Sequence, residues 1–140
     1  MAVKTITVEN VVNAPADKVW EMWTAPRHIV KWYYASDDWE APHAENDVRE
    51  GGKFKIVMRA KDKSAGFDFT GKYTNVIIHK IIEYMMDDGR KATIHFQSSD
   101  GKTKLTETFE MEHTNSEELQ RSGWQAILDN FKKYAEGRKK

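Results

Sequence analysis

The chain has 140 residues, and its 22 lysines and arginines balance its 22 aspartates and glutamates, so the formal net charge is zero. A balanced charge gives no long-range attraction to nucleic acid or to an anionic membrane, and we expect neither as a partner. The absence of cysteine excludes disulfides and thiolate metal sites, and it favours a reducing cytoplasm. No apolar stretch resembles a signal peptide or a membrane span. The length predicts one domain over residues 1–140.

The first predicted elements are one strand and two short helices. Residues 4–12 alternate in part between apolar and polar side chains, which is typical of a strand. Pro15 suits the first turn of a helix, and the pattern that follows predicts helices over residues 15–24 and 26–33.

The middle of the chain predicts a meander of about six strands. Turn signals lie at residues 51–52, 64–66, 88–89 and 100–101. Residues 76–86 form an apolar run that predicts two strand segments with a bend near His79 and Lys80. The final predicted strand, 102–113, places four side chains on one face: Leu105, Glu107, Phe109 and Met111.

Residues 115–136 predict a long helix. Its apolar stripe recurs at a period near 3.6 and contains Trp124, Ile127, Leu128, Phe131 and Tyr134 or Ala135. Asn115 is the expected N-cap, with Glu118 at the reciprocal capping position. Since only this helix is large enough to cover the apolar face of the sheet, we expect the sheet to curve around it and to leave space between them.

Several short motifs, met in order along nearly the whole chain, resemble the START-like SRPBCC superfamily. They resemble most closely its branch of activator-of-heat-shock-ATPase homologues. The motifs are Ala14-Pro15-Ala16-Asp17-Lys18-Val19-Trp20, Lys31-Trp32-Tyr33, Gly51-Gly52-Lys53-Phe54, Asp68-Phe69 with Gly71-Lys72-Tyr73, Asp88-Gly89-Arg90, Glu107-Thr108-Phe109, and the run from Leu119 to Phe131. The Gln-Arg-x-Gly-Trp-Gln segment inside that last run is the most specific.

The resemblance implies an α+β helix-grip fold, in which an antiparallel sheet of six or seven strands wraps a C-terminal helix around a hydrophobic cavity. It also implies bacterial cytoplasmic relatives, mostly of unassigned function. Some superfamily members bind lipids, polyketides or flavonoid-like aromatics, and some are cyclases or related enzymes. The eukaryotic namesake domain stimulates a chaperone ATPase.

Aromatic side chains on these elements are candidates for a cavity wall, although each alone is more often a core residue. Phe67 and Tyr84 are among these aromatic candidates, which form a wider set than the predicted ligand-binding residues. The predicted ligand-binding residues are Trp32, Tyr33, Phe54, Phe69, Tyr73, Phe96, Glu107, Phe109, Trp124, Leu128 and Phe131.

Glu107 is the most informative residue, because alternation places its carboxyl on the apolar face. Such a group pairs with a cation, lies in water at a cavity rim, or acts on a ligand. Gly123 lies inside the predicted long helix, where glycine is unfavourable. Either close packing of the helix or a widened pocket entrance beside Trp124 would explain it.

Neither a metal site nor a cofactor is expected, because the five histidines are scattered and no glycine-rich phosphate loop is present. The favoured function is the binding of a small apolar or aromatic ligand. The alternatives are a protein-interaction module that acts on a heat-shock chaperone and a cyclase- or hydrolase-type enzyme that uses Glu107. A monomer and a homodimer are both compatible with the sequence.

Overall fold

The computed structural model describes residues 4–137. The elements in chain order are β1 (Thr5–Val12), α1 (Ala16–Thr24), α2 (Pro26–Ile29), β2 (Trp39–Asn46), β3 (Lys53–Ala60), β4 (Gly66–Ile77), β5 (Ile81–Met86), β6 (Lys91–Ser99), β7 (Lys102–Glu110) and α3 (Glu117–Gly137). Seven strands form one antiparallel sheet in the order β1-β7-β6-β5-β4-β3-β2. The predicted six-strand meander is confirmed as β2 to β7, and β1 lies beside the last strand.

The sheet is curled and α3 packs against it, so the predicted α+β helix-grip fold is confirmed. In β7 the alternation places Leu105, Glu107 and Phe109 in the interior. Leu128 and Phe131 of α3 are fully buried against this face. The burial of such large apolar side chains stabilises the fold by roughly 1.5–3 kcal/mol each.

Polar contacts attach α3 to the edge of the sheet. The Asn10 side-chain amide donates to the carbonyl oxygen of Leu128 at 3.0 Å, and Lys132 Nζ donates to the carbonyl oxygen of Val11 at 2.6 Å. Because Asn10 and Val11 belong to β1, these hydrogen bonds attach α3 to the edge strand of the sheet.

The N-cap of α3 differs from the prediction. The Ser116 hydroxyl oxygen accepts a hydrogen bond from the Leu119 N–H at 3.1 Å, so Ser116 caps the helix. The Asn115 side chain instead donates to Glu112 at 3.0 Å. The helix therefore begins at Glu117, because the acceptor in Glu112 satisfies Asn115 in the preceding loop.

Two other predicted boundaries are wrong. The second helix, predicted over 26–33, ends at Ile29 and continues as a turn. The last strand, predicted over 102–113, ends at Glu110, since its pairing with β1 stops there.

The apolar run at 76–86 contains a hairpin turn and not a bend. β4 ends at Ile77 and β5 begins at Ile81. His79, between them, has a φ of 68°, a left-handed conformation that few residues other than glycine adopt. The sequence carries no Gly or Asn at this position to indicate the turn.

Gly123 is not required for close packing. A Cβ atom built on Gly123 would meet no other group within 4 Å, so close packing, the first of the two explanations, is wrong. A Cβ on Gly71, in contrast, would lie 2.6 Å from the Met85 carbonyl oxygen and 2.6 Å from the Phe54 ring.

We expect the Gly123→Ala substitution to raise the free energy of unfolding by about 1 kcal/mol, because alanine restricts the unfolded chain and is the better helix former. Urea denaturation measures this difference. The control is Gly71→Ala, which should lower the free energy of unfolding by roughly 1–3 kcal/mol through overlap with Phe54. A destabilised Gly123→Ala protein would show that the space beside the helix is not open.

Candidate functional site

A cavity lies between the sheet and the start of α3, and it consists of two adjoining parts that share lining residues. The inner chamber has a volume of about 30 Å³, and the outer groove has a volume of about 240 Å³. Trp23, Tyr33, Phe69 and Glu107 line both parts. These four residues therefore lie where the groove and the chamber adjoin.

The inner chamber is formed mainly by inward-facing side chains of consecutive strands. The period of two places one or two residues of each strand from β3 to β7 in its wall. Its lining residues are Trp23, Ile29, Tyr33, Asn46, Phe54, Ile56, Phe69, Tyr73, Ile82, Tyr84, Ile94 and Glu107. Most of these side chains are apolar or aromatic. The polar groups among them are the Asn46 amide, the Glu107 carboxyl and three tyrosine hydroxyls.

The outer groove runs along one face of α3. Gln120, Trp124 and Ile127 follow the helical spacing of four and three residues and form one side. The remaining lining residues are Trp23, Tyr33, Met58, Phe67, Phe69, Arg90, Glu107 and Glu112. Phe67 is 54% exposed, so this part of the cavity opens to solvent.

Trp124 is held in place by two other rings. Its indole stacks on Phe109 with 3.8 Å between ring centroids and an interplanar angle of 10°. It also meets the ring of Phe69 edge-on at 6.3 Å. These contacts give the groove a rigid aromatic wall.

Glu107 is the unusual group in the cavity. It is only 4% exposed, and among the described residues no group donates a hydrogen bond to its carboxyl or forms an ion pair with it. Burial raises the pKa of Glu107 to about 8, because the charged carboxylate loses its hydration. The carboxyl is therefore mostly protonated at neutral pH.

Two tyrosine hydroxyls belong to the same wall. Burial raises the pKa of Tyr33 well above its usual value, and the nearby charge of Glu107 raises it further. Burial likewise raises the pKa of Tyr84, with contributions from Tyr33 and Glu107. Neither hydroxyl has a hydrogen-bond partner among the residues that the structure describes. Three polar groups thus lie in one wall without a partner in the described part of the chain.

A third tyrosine of the chamber is satisfied by the protein. The Tyr73 hydroxyl donates to the side-chain oxygen of Asn46, whose amide donates to the Thr24 carbonyl oxygen at 2.7 Å. Burial raises the pKa of Tyr73 as well. This chain of hydrogen bonds joins β4 to the end of α1 and leaves Tyr73 less available to a ligand.

The structure divides the predicted ligand-binding residues into two groups. Those that line the cavity are Tyr33, Phe54, Phe69, Tyr73, Glu107 and Trp124. Those that do not line it are Trp32, Phe96, Phe109, Leu128 and Phe131, all of which are buried in the core. Trp32, for example, packs against Phe131 at 4.7 Å and donates its indole N–H to the Met22 carbonyl oxygen at 3.0 Å.

Several cavity residues lie outside the predicted set. Tyr84 and Phe67 belong to the wider aromatic set, and alternation of Tyr84 with Ile82 and Met86 on β5 indicates its inward position. Trp23 faces the cavity from α1. Arg90, which follows the turn at 88–89, carries no sequence signal for a position at the groove.

Residues 4–137 contain neither a cluster of metal-ligating side chains nor a membrane-spanning helix. Among these residues no group of three or more histidines, aspartates or glutamates is arranged to hold a metal ion. None of the helices in that range is long and apolar enough to cross a membrane.

Comparison with known protein families identifies the chain. A family model described as "Activator of Hsp90 ATPase homolog 1-like protein" matches residues 13–136. The chain belongs to this family. The family is the branch of the SRPBCC superfamily that the sequence motifs resemble, so that prediction is confirmed. No functionally curated protein matches the chain.

Solved structures of similar proteins share the fold of this family member. The solution structure of an AHSA1-like protein from Aeromonas hydrophila is 40% identical, with a TM-score of 0.92 over 97% of this chain and 94% of that chain. A protein from Cytophaga hutchinsonii is 48% identical, with a TM-score of 0.82 over 96% of this chain and 93% of that chain. A Nitrosomonas europaea protein shares the fold at 19% identity, with a TM-score of 0.81 over 96% of each chain.

The burial of Glu107 predicts a specific dependence of stability on pH. Its pKa is about 8 in the folded protein against 4.5 for an ordinary glutamate. Between these values the folded state binds one proton more than the unfolded state. The free energy of unfolding therefore falls with rising pH, by up to about 1.4 kcal/mol per unit.

We expect Glu107→Gln to remove this dependence, so that its stability advantage over the parent protein grows from pH 5 to pH 8. Urea denaturation at several pH values measures it. Glu118→Gln, a change of an exposed carboxylate, should leave the parent's pH profile unaltered. Parallel profiles for the parent and Glu107→Gln would mean that Glu107 is ionised in the folded protein.

Proposed function

We propose that this family member is a cytoplasmic protein that binds a small, largely apolar or aromatic molecule in the cavity under α3. The proposal depends chiefly on one observation, the buried Glu107 carboxyl beside the Tyr33 and Tyr84 hydroxyls, none of which has a hydrogen-bond partner within residues 4–137. A buried polar group without a partner destabilises the folded state. A ligand with a polar group among these three side chains would relieve that cost.

The shape and lining of the cavity support this function. Binding sites for small molecules are concave and mostly apolar, with a few polar groups that set the orientation of the ligand. Here the outer groove supplies the apolar surface, with Phe69, Trp124 and Ile127 in its wall. The inner chamber supplies the polar end. The ligand would therefore insert its polar end first and leave its apolar body in the groove.

Calorimetric titration with 2-naphthol, a neutral aromatic molecule with one hydroxyl, tests this proposal. We expect it to bind the parent protein and to bind Trp124→Ala about tenfold or more weakly, because the indole wall of the groove is lost. Thermal unfolding of each variant separates this effect from a loss of folding.

The matched control is Trp20→Ala. Trp20 is a partly buried tryptophan that packs on Phe96, but it lines neither part of the cavity. This variant should keep the affinity of the parent within about twofold. The absence of 2-naphthol binding, or equal losses in both variants, would contradict a binding site in the groove.

The family name and an exposed phenylalanine beside a half-buried tryptophan suggest a second function, an action on a heat-shock chaperone ATPase. Phe67 is 54% exposed, and its ring lies 6.1 Å from that of Trp39. Exposed aromatic side chains are frequent in protein interfaces. A chaperone ATPase assay with and without this chain decides the question, since an unchanged turnover rate would reject the second function.

A further inference from the structure

We propose that the natural ligand is a small primary amine with an aromatic or apolar body, whose ammonium group binds in the inner chamber among Glu107, Tyr33 and Tyr84. This inference depends on the proposed binding function and specifies the chemical class of the ligand. Four properties of the cavity support it: the set of acceptors, the two volumes, the charge and the aromatic walls.

The chamber offers the acceptors that an ammonium group requires. An ammonium has three N–H donors and no acceptor. The Glu107 carboxylate and the phenolic oxygens of Tyr33 and Tyr84 provide three acceptor groups in the wall of one chamber. A hydrogen bond between an ammonium and a carboxylate is about twice as strong as one between neutral groups.

The two volumes match the two parts of such a molecule. The chamber of about 30 Å³ is large enough for one small polar group but not for a ring. The groove of about 240 Å³ exceeds the roughly 150 Å³ cavity that accommodates benzene in another protein. A single ring on a short carbon chain therefore fits with its ring in the groove and its nitrogen in the chamber.

The charges around the cavity favour a cation. Of the lysines, arginines and histidines in residues 4–137, none lines the inner chamber. Arg90 is the cation among the groove residues, and it donates to Asp88 at 2.8 Å while the groove also contains Glu112. The Arg90 guanidinium is therefore already paired, so among the described residues the cavity offers no unpaired cation to an anionic ligand.

The aromatic rings add a second favourable term for a cation. Trp23, Phe69, Tyr33 and Tyr84 all line the chamber. The face of an aromatic ring attracts a cation, and this attraction increases when water is excluded. A neutral alcohol would gain neither this attraction nor the ion pair with Glu107.

Amine binding would be coupled to proton release. In the free protein, burial raises the pKa of Glu107 to about 8, so most molecules carry a proton there at pH 7. Pairing with an ammonium favours the ionised carboxyl, and the proton leaves to solvent. The other ionisable groups of the chamber are Tyr33, Tyr73 and Tyr84, and Arg90 and Glu112 line the groove. The pKa of each of these three phenols is raised, so they stay neutral over this pH range.

The test compares 2-phenylethylamine with 2-phenylethanol, a neutral molecule of the same size, by titration calorimetry of the whole chain. We expect the amine to bind more tightly and its affinity to increase by up to about tenfold per pH unit from pH 6 to 8. Titrations in two buffers of different ionisation enthalpy should show release of close to one proton per amine at pH 7, given the Glu107 pKa of about 8. The alcohol should show neither effect.

Two variants locate the amine. Glu107→Gln should weaken amine binding about thirtyfold or more and abolish proton release, with little effect on the alcohol. Tyr84→Phe, which removes one acceptor, should weaken amine binding about tenfold. Glu118→Gln, on the exposed start of α3, is the matched control and should bind both molecules like the parent protein. Thermal unfolding confirms that each variant is folded.

Other outcomes would overturn the proposal. Equal affinity for the amine and the alcohol, or amine binding without proton release, would show that Glu107 does not receive an ammonium. If 2-naphthol binds in a Trp124-dependent manner while 2-phenylethylamine does not bind, the amine class is wrong and the proposed binding function stands. If neither binds, both proposals fail.

Discussion

The burial of one carboxyl group is the constraint around which the cavity is built. Glu107 lies between Leu105 and Phe109 on β7, and both neighbours are fully buried. Because side chains alternate along a strand, β7 cannot turn Glu107 outward without exposing the other two. The pairing of β7 with strands on both sides, β1 and β6, also holds its register. The sheet therefore keeps an acidic group in a position where it opposes folding.

The surrounding elements determine how accessible that group is. The inward residues of β3 to β6 enclose the carboxyl in a small chamber, and the first half of α3 limits the groove that leads to it. In the second half of α3, the side chains of Leu128 and Phe131 are fully buried against the core. One helix thus has two roles: its C-terminal half closes the core, and its N-terminal half leaves a passage.

The sequence predicts the architecture better than it predicts the cavity. Alternation and turn residues identify the meander, and the helical period identifies α3. The same patterns show that Phe54 and Phe96 both point inward, but only Phe54 reaches the chamber. Whether an inward side chain meets a helix or open space depends on where α1 and α3 cross the sheet, and no local pattern contains that information.

The errors in the sequence-based prediction of single residues also arise from contacts that the local sequence does not contain. Asn115 and Ser116 are both good capping residues, and the choice between them depends on Glu112, which binds Asn115 in the loop. The turn at His79 uses a left-handed residue that is neither glycine nor asparagine. For Gly123 the sequence allows either a close helix crossing or a widened pocket entrance, and the open space beside it excludes the crossing.

The pairing of the first strand with the last has a consequence for how the protein is made. Val8 lies opposite Glu107, so the two partners are separated by most of the polypeptide. During synthesis β1 has no neighbour in the sheet until β7 has left the ribosome, and α3 follows later still. The newly made meander must therefore keep a large apolar surface uncovered, and this places the greatest risk of aggregation in the interval before α3 has been made.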